Sequence, residues 1–324
     1  MDSTVYSKIL GTGSYVPKNI VTNFDLEEKL DTSDDWITKR TGIKQRHIIN
    51  PEHESTVLMA KEAGLEALHN AGLKPEDLDM IIVATCTPDK VFPSTSCLLQ
   101  KEFGIRGCAA MDVDAACSGF IYALSTADAY IKSKKAKYIL VVGSESMSRL
   151  LDWTDRSSCV LFGDGAGACI LGPSNEAGII STHLHADGNN DEILQASYNY
   201  YDKSKKSPID HIHMAGREVF KIAVNTLGSI VTETIDKNGY SYEDIDWLVP
   251  HQANIRIIQA MAKKLKMTTD KVIITVDKHA NTSGASIPLA LHTAVSDGRI
   301  KRGDMLLLEA FGAGLTWGSA LIKY

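Results

Sequence analysis

The 324-residue sequence has no Cys-x-x-Cys pair, no apolar run approaching the ~20 residues of a membrane span, and no low-complexity or linker-like stretch. The first absence removes zinc-ribbon and thioredoxin readings, which need paired thiols at that spacing. The second removes a spanning helix, and the third leaves no flexible tether between parts. Basic excess is also missing. Lys and Arg total 34 against 40 Asp and Glu, and a net charge of −6 argues against bulk nucleic-acid binding. The opening residues MDSTVYSKIL carry an acid at Asp2 and no apolar signal-peptide core. Cys86, Cys97, Cys108, Cys117, Cys159 and Cys169 are the six cysteines. In a chain of this length without a secretory signal they are expected to be reduced thiols in the cytosol.

What is present is ordinary globular composition, 44% hydrophobic and 23% charged, enough for two cores at ~150 residues each. Met80–Ala84, Tyr138–Val142, Trp247–Val249 and Met305–Leu308 read as buried strands. Val57–Leu68, Phe120–Ile131, Val219–Ile235 and Ile255–Leu265 read as amphipathic helices between them. This alternation predicts an α/β fold. The stretch Ala71-Gly-Leu-Lys-Pro-Glu-Asp-Leu-Asp-Met-Ile-Ile82 aligns with Asn238-Gly-Tyr-Ser-Tyr-Glu-Asp-Ile-Asp-Trp-Leu-Val249 at an offset of 167 residues, and the later strands at Ile139 and Leu306 keep that offset. A period this long points to two copies of one α/β unit rather than a solenoid.

Three loops at predicted strand ends combine reactive residues. In Asp112-Val-Asp-Ala-Ala-Cys117-Ser-Gly-Phe120 a strand ends and a helix begins. Small neighbours there allow a sharp turn that exposes the sulfur, as a nucleophile elbow does. Free amide groups and the positive end of the helix are expected to stabilise a thiolate. His251 follows a strand in Val249-Pro-His-Gln-Ala-Asn254. Asn281 lies in Lys278-His-Ala-Asn-Thr-Ser-Gly284. All three positions lie where α/β sheets place ligands, and together they form a plausible nucleophile, base and donor set.

The strings AACSGF, PHQAN, NTSGASIP and FGAGLTWG resemble the type III β-ketoacyl-[acyl-carrier-protein] synthases, and the resemblance runs from Trp36–Ile43 to Trp317–Ala320. It implies a thiolase-like fold of two duplicated βαβαβαβ halves in five αβαβα layers, here residues 1–174 and 175–324, and a homodimer. It implies a decarboxylative condensation of a short acyl-CoA with malonyl-[acyl-carrier-protein], the first of type II fatty-acid synthesis, with no cofactor and no metal. Cys117 would be acylated, with His251 and Asn281 completing the triad. Ala313 would supply an oxyanion amide, and Phe311 would pack between the cysteine and the histidine. Trp36, Arg40, Arg156, Gly216 and Asn254 would meet coenzyme A, and Phe92 would cross the dimer interface to close an acyl pocket. Lys221, Arg256, Lys263 and Lys264 would dock the carrier protein. Between Ile255 and Lys266 there are four basic residues and no acid. The alternatives are a related condensing acyltransferase of secondary metabolism and a non-catalytic CoA- or carrier-binding homologue.

Two positions depart from the family pattern. Gly312-Ala-Gly-Leu315 stands where Gly-Gly-Gly-Phe is usual, and Ala313 is expected to narrow backbone freedom at the oxyanion position. Ala280 stands where glycine is common and reads as the smaller change. His183-Leu-His185 and His211-Ile-His213 have metal-pair spacing but no third ligand near them in sequence, and read as structural. Gly163–Gly167 lacks the GxGxxG spacing and reads as a turn into a strand at Ala168–Leu171.

Overall fold

The computed structural model describes residues 5–197 and 210–324. Two sheets hold the molecule. The first runs in the order Tyr6–Tyr15, Asp164–Ser174, Ile139–Ser146, Met80–Ala84, Ala109–Val113. The second runs Ile179–Ala186, Thr316–Lys323, Met305–Gly312, Trp247–Pro250, with Val272 bridging in parallel beside Leu248 at its end. Strand for strand this is one order repeated. The register repeats as well: Met80 pairs in parallel with Ile139, and Trp247 pairs in parallel with Leu306.

Side-chain alternation divides each sheet between two layers. Met80, Ile82 and Ala84 turn inward with Phe120, Leu124, Leu291, Leu306 and Leu308, the layer where the Gly119–Lys132 and Ser286–Ser296 helices lie between the sheets. Ile81, Val83, Leu140 and Val142 turn outward onto Met59, Ala63 and Ala67 of the Thr56–Ala71 helix. Leu248, Leu307 and Leu321 turn outward onto Ala223, Leu227 and Val231 of the Gly216–Asn238 helix. Each of the larger aliphatic and aromatic side chains among them contributes ~1.5–3 kcal/mol when fully buried. The result is five layers, αβαβα.

The repeated sequence motif has a mechanical explanation. Gly72 and Gly239 end the two outer helices in the left-handed region, at φ 67° and 69°. Asp77 and Asp244 then accept from the Lys74 and Ser241 amides and cap short 3₁₀ turns. Asp79 accepts from the Lys137 and Tyr138 amides, and Asp246 from that of Met305, so each last aspartate clamps the start of the neighbouring strand. No helix among the described residues is long and apolar enough to cross a membrane.

Candidate active site

Cys117 lies on a 3₁₀ turn, Ala116–Ser118, between the Ala109–Val113 strand and the Gly119–Lys132 helix. Ala116 takes φ +45°, an unusual conformation for a residue with a Cβ, and this turns the chain sharply. The elbow is held from the other half of the chain. Ser118 Oγ donates to the Thr316 carbonyl at 3.0 Å, and Thr316 Oγ1 donates to that of Ala115 at 2.8 Å. Gly312 allows the closest approach, since a Cβ there would stand 2.7 Å from the Cys117 nitrogen. The second half repeats the device: Ser283 takes φ +48°, followed by the Ser283–Ala285 turn and the Ser286–Ser296 helix.

The electrostatics of Cys117 differ from the expectation drawn from its place at a helix start. Burial pushes its thiol up to about 12, against a lowering hydrogen bond from Ser283. Desolvation of the sulfur is the largest influence and disfavours the thiolate, while the Ser283 side chain and a main-chain hydrogen bond favour it. His251 follows Pro250, the last residue of its strand, and is 6% exposed; burial lowers its imidazole to about 4, leaving it neutral at pH 7. Its Nδ1 stands 2.5 Å from Ser286 Oγ. Asn281 Oδ1 accepts the Ser283 amide at 2.8 Å. A backbone N–H can only donate, so this bond fixes the carboxamide and leaves Nδ2 as the free donor.

These three residues open on one cavity of about 1080 Å³, with Phe311 and Ala313 also in its wall. Trp36, Arg40, Arg156, Gly216, Asn254 and Arg256 line the same space. The Arg40 and Arg156 guanidinium carbons lie 4.7 and 5.4 Å from the Trp36 ring centroid, a cation–π cluster. Arg156 is also held by Asp31, donating to its carbonyl and, at 3.3 Å, to Oδ2. Asn254 Oδ1 accepts from the Arg256 amide and caps the Ile255–Lys264 helix. Phe92 lies outside this chain's cavity and is 83% exposed. Lys221, Lys263 and Lys264 are exposed and also do not line it.

The two departures reverse in weight. Ala313 keeps an ordinary negative φ, so its methyl group costs the turn nothing, contrary to the sequence expectation. Ala280 takes φ 58°, ψ −158°, a region essentially reserved for glycine and costing of order 1–3 kcal/mol. That strained residue immediately precedes Asn281. Around the histidine pair, Glu233 is a neighbour the sequence did not reveal. It stands 2.8 Å from His185 Nε2 and 3.6 Å from His183 Nδ1, and also pairs with Lys237. Among the described residues no three His, Cys, Asp or Glu side chains are placed to hold a metal.

Sequence reasoning missed three groups at the site. Glu145, fully buried, accepts from Thr85, Cys86 and Thr87, and burial raises it to about 7. Glu309 is fully buried with both carboxylate oxygens unpartnered among the described residues, and burial raises it to about 8. Its signal was legible as a lone acid inside Leu306-Leu-Leu-Glu-Ala-Phe311. Ser286 gave no signal beyond its place in NTSGASIP.

Family models of 3-oxoacyl-[acyl-carrier-protein] synthase III match residues 111–188 and, for its C-terminal part, 235–324. The β-ketoacyl-[acyl-carrier-protein] synthase III of Thioalkalivibrio sulfidiphilus is 56% identical over 98% of this chain and 99% of its own. The crystal structure of 3-oxoacyl-[acyl-carrier-protein] synthase III from Aquifex aeolicus superposes with a TM-score of 0.93 at 50% identity, covering 98% of this chain and all of that one. A priming β-ketosynthase of the R1128 polyketide pathway superposes equally well, TM-score 0.93 over 98% of this chain and 96% of its own, at a lower identity of 35%. Sequence identity and fold agree along nearly the whole length of such relatives, and the chain therefore belongs to the β-ketoacyl-[acyl-carrier-protein] synthase III family, the condensing acyltransferases that initiate fatty-acid synthesis.

Proposed function

We propose that the chain condenses a short acyl-CoA with malonyl-[acyl-carrier-protein], using Cys117, His251 and Asn281. The carrying observation is that three loops from two sheets aim these side chains into one cavity, with a tryptophan–arginine cluster on its wall. Cys117 sulfur attacks the thioester carbonyl of acyl-CoA. The carbon–sulfur bond to coenzyme A breaks, and the thiol proton leaves with the departing sulfur. Because burial disfavours the free thiolate, deprotonation accompanies attack in this reading. The malonyl thioester then loses carbon dioxide, and charge develops on its carbonyl oxygen. Neutral His251 and the Nδ2 of Asn281 are donors suited to that oxygen, each worth ~3 kcal/mol when well placed. The carbanion attacks the acyl carbonyl, and Cys117 departs, giving the 3-oxoacyl carrier product. The amides of Cys117 and Ala313 would hold the tetrahedral oxygen, and Phe311 walls the space beside them.

In this reading coenzyme A enters as substrate, and the protein's own side chains and main-chain amides supply every donor. Its adenine would stack at Trp36 and Arg156, Arg40 would reach phosphate, and Gly216 and Asn254 would line the pantetheine arm. The halves divide between Ser174, which ends the first sheet's last strand, and Asn175. A second copy would cover the open edge of the Ala109–Val113 strand and the exposed Val91 and Phe92, 73% and 83% accessible. We place the enzyme in the cytosol, with its six cysteines reduced.

The test is mass spectrometry after exposure to a panel of acyl-CoAs. One acyl group should appear on the peptide carrying Cys117 and be absent from Cys117→Ser. Label on another residue, or none with any acyl-CoA, would count against the reading and favour a binding homologue.

Carrier docking has its own measurement. Arg256 lies at the cavity wall, 5.4 Å from the Phe220 ring, and Lys263 is exposed two turns along the same helix. Reversing charge at both should raise KM for malonyl-carrier protein about tenfold and flatten its salt dependence, while acylation by acyl-CoA changes far less. Equal damage to both substrates would remove the patch from the scheme.

A further inference from the structure

Ser286 begins the central Ser286–Ser296 helix and is 2% exposed, so its hydroxyl has only protein to bond. Two groups face its oxygen: His251 Nδ1 at 2.5 Å and the Gln252 main-chain nitrogen at 3.3 Å. The amide can act only as a donor, and it takes one lone pair of Ser286 Oγ. The hydroxyl hydrogen then needs an acceptor, and among the described residues no other hydrogen bond of this hydroxyl is found. A protonated Nδ1 would make the oxygen accept twice and strand that buried hydrogen, at a cost of ~1–3 kcal/mol. An unprotonated Nδ1 receives it. One hydrogen-bond chain results, from Gln252 N–H to Ser286 Oγ and from Ser286 O–H to His251 Nδ1.

We propose that Ser286 is a positioning residue for His251: by donating to Nδ1 it keeps the single proton of the neutral imidazole on Nε2 and fixes the plane of the ring. Nε2 has no protein partner among the described residues, and the ring opens on the cavity that Asn281 also lines. His251 is then set to donate a hydrogen bond at the outset and is not free to take a proton at Nε2. The assignment rests on the preceding reading for the use of that donor, and it concerns the relay behind it. Chain geometry supports the relay. Gln252 is itself immobile, its side chain donating to the Pro250 and Ile273 carbonyls and accepting from the Thr275 and Val276 amides. The amide that orients Ser286 is therefore carried by a residue bonded on both sides.

Protein labelled with ¹⁵N-histidine tests this, with the His251 signals assigned by their loss in His251→Asn. In the parent at pH 7, Nε2 should carry the proton, and Nδ1 should show the shift of an unprotonated, hydrogen-bonded nitrogen. Ser286→Ala should abolish the hydrogen-bonded Nδ1 signature and lower kcat for condensation about tenfold, with KM for malonyl-carrier protein little changed. Ser286→Thr, which keeps the hydroxyl, should restore both. A protonated Nδ1 in the parent overturns the proposal without any variant having to fold, and so does an Nδ1 signal indifferent to Ser286→Ala. If the Nδ1 signature follows Ser286 but condensation does not, the relay stands and the use of His251 as donor is the part that fails.

Discussion

Asn281→Ala should still take an acyl group from acyl-CoA at near the parent rate, yet lose condensation by ~10²–10³-fold. The Ser283 amide fixes the Asn281 carboxamide through Oδ1, so Nδ2 is a pre-aimed donor with nothing to rearrange when charge develops. Acylation asks little of that group, whereas decarboxylation of malonate places negative charge where it can donate. His251→Ala should slow condensation by a similar factor. Single-turnover acylation followed by intact mass, beside steady-state condensation with malonyl-carrier protein, separates the two half-reactions. A variant lacking Asn281 that condensed at the parent rate would remove it from the triad.

Glu309→Gln should change the pH dependence of stability strongly. Glu309 has no exposed surface, and burial raises it from the ordinary 4.5 to about 8. Over that interval the folded protein keeps a proton the unfolded chain has lost. Stability is therefore fully present below about pH 4.5 and falls as pH rises toward 8. At ~1.4 kcal/mol per unit, the liability reaches roughly 3 kcal/mol at pH 7. Glutamine keeps the shape and removes the titration, so its advantage over the parent should grow by a few kcal/mol between pH 5 and pH 8. Denaturant unfolding at the two pH values measures it. A difference that stays constant with pH would mean that Glu309 finds a partner when it ionises. Glu145 is a poorer choice for this experiment because Thr85, Cys86 and Thr87 already compensate its charge.

The scaffold was legible because it is written twice. The Gly72 and Gly239 caps, the aspartate clamps and the apolar strands at Met80 and Trp247 each follow from local chemistry, and their common offset exposed the duplication. The elbow at Cys117 was legible as small residues before a helix. Its acidity was not, because burial depends on Gly312 and Ser283, which approach from the other half of the chain. Contacts between distant residues within the second half were equally hidden: the Ser286 bond to His251, which spans 35 residues, and the Glu233 carboxylate between His183 and His185. Ala313 and Ala280 were ranked wrongly for a related reason. Strain belongs to a φ angle, and no residue name reports whether its φ is positive.

The repeated offset has a consequence for stoichiometry. Moving Cys117 forward by 167 residues gives Gly284, on a turn of the same shape at the start of the companion helix. A side chain there would meet the Ala116 carbonyl and the Glu145 carboxylate at 3.3 Å, while a Cβ on Gly143 would stand 2.3 Å from the Gly284 carbonyl. The two elbows press back to back, and a second side chain at Gly284 would be crowded by the first elbow. Duplication of the fold therefore did not duplicate the nucleophile. On the reading proposed above, one half carries the reactive atom and the other its donors, so each chain would load a single acyl group at a time.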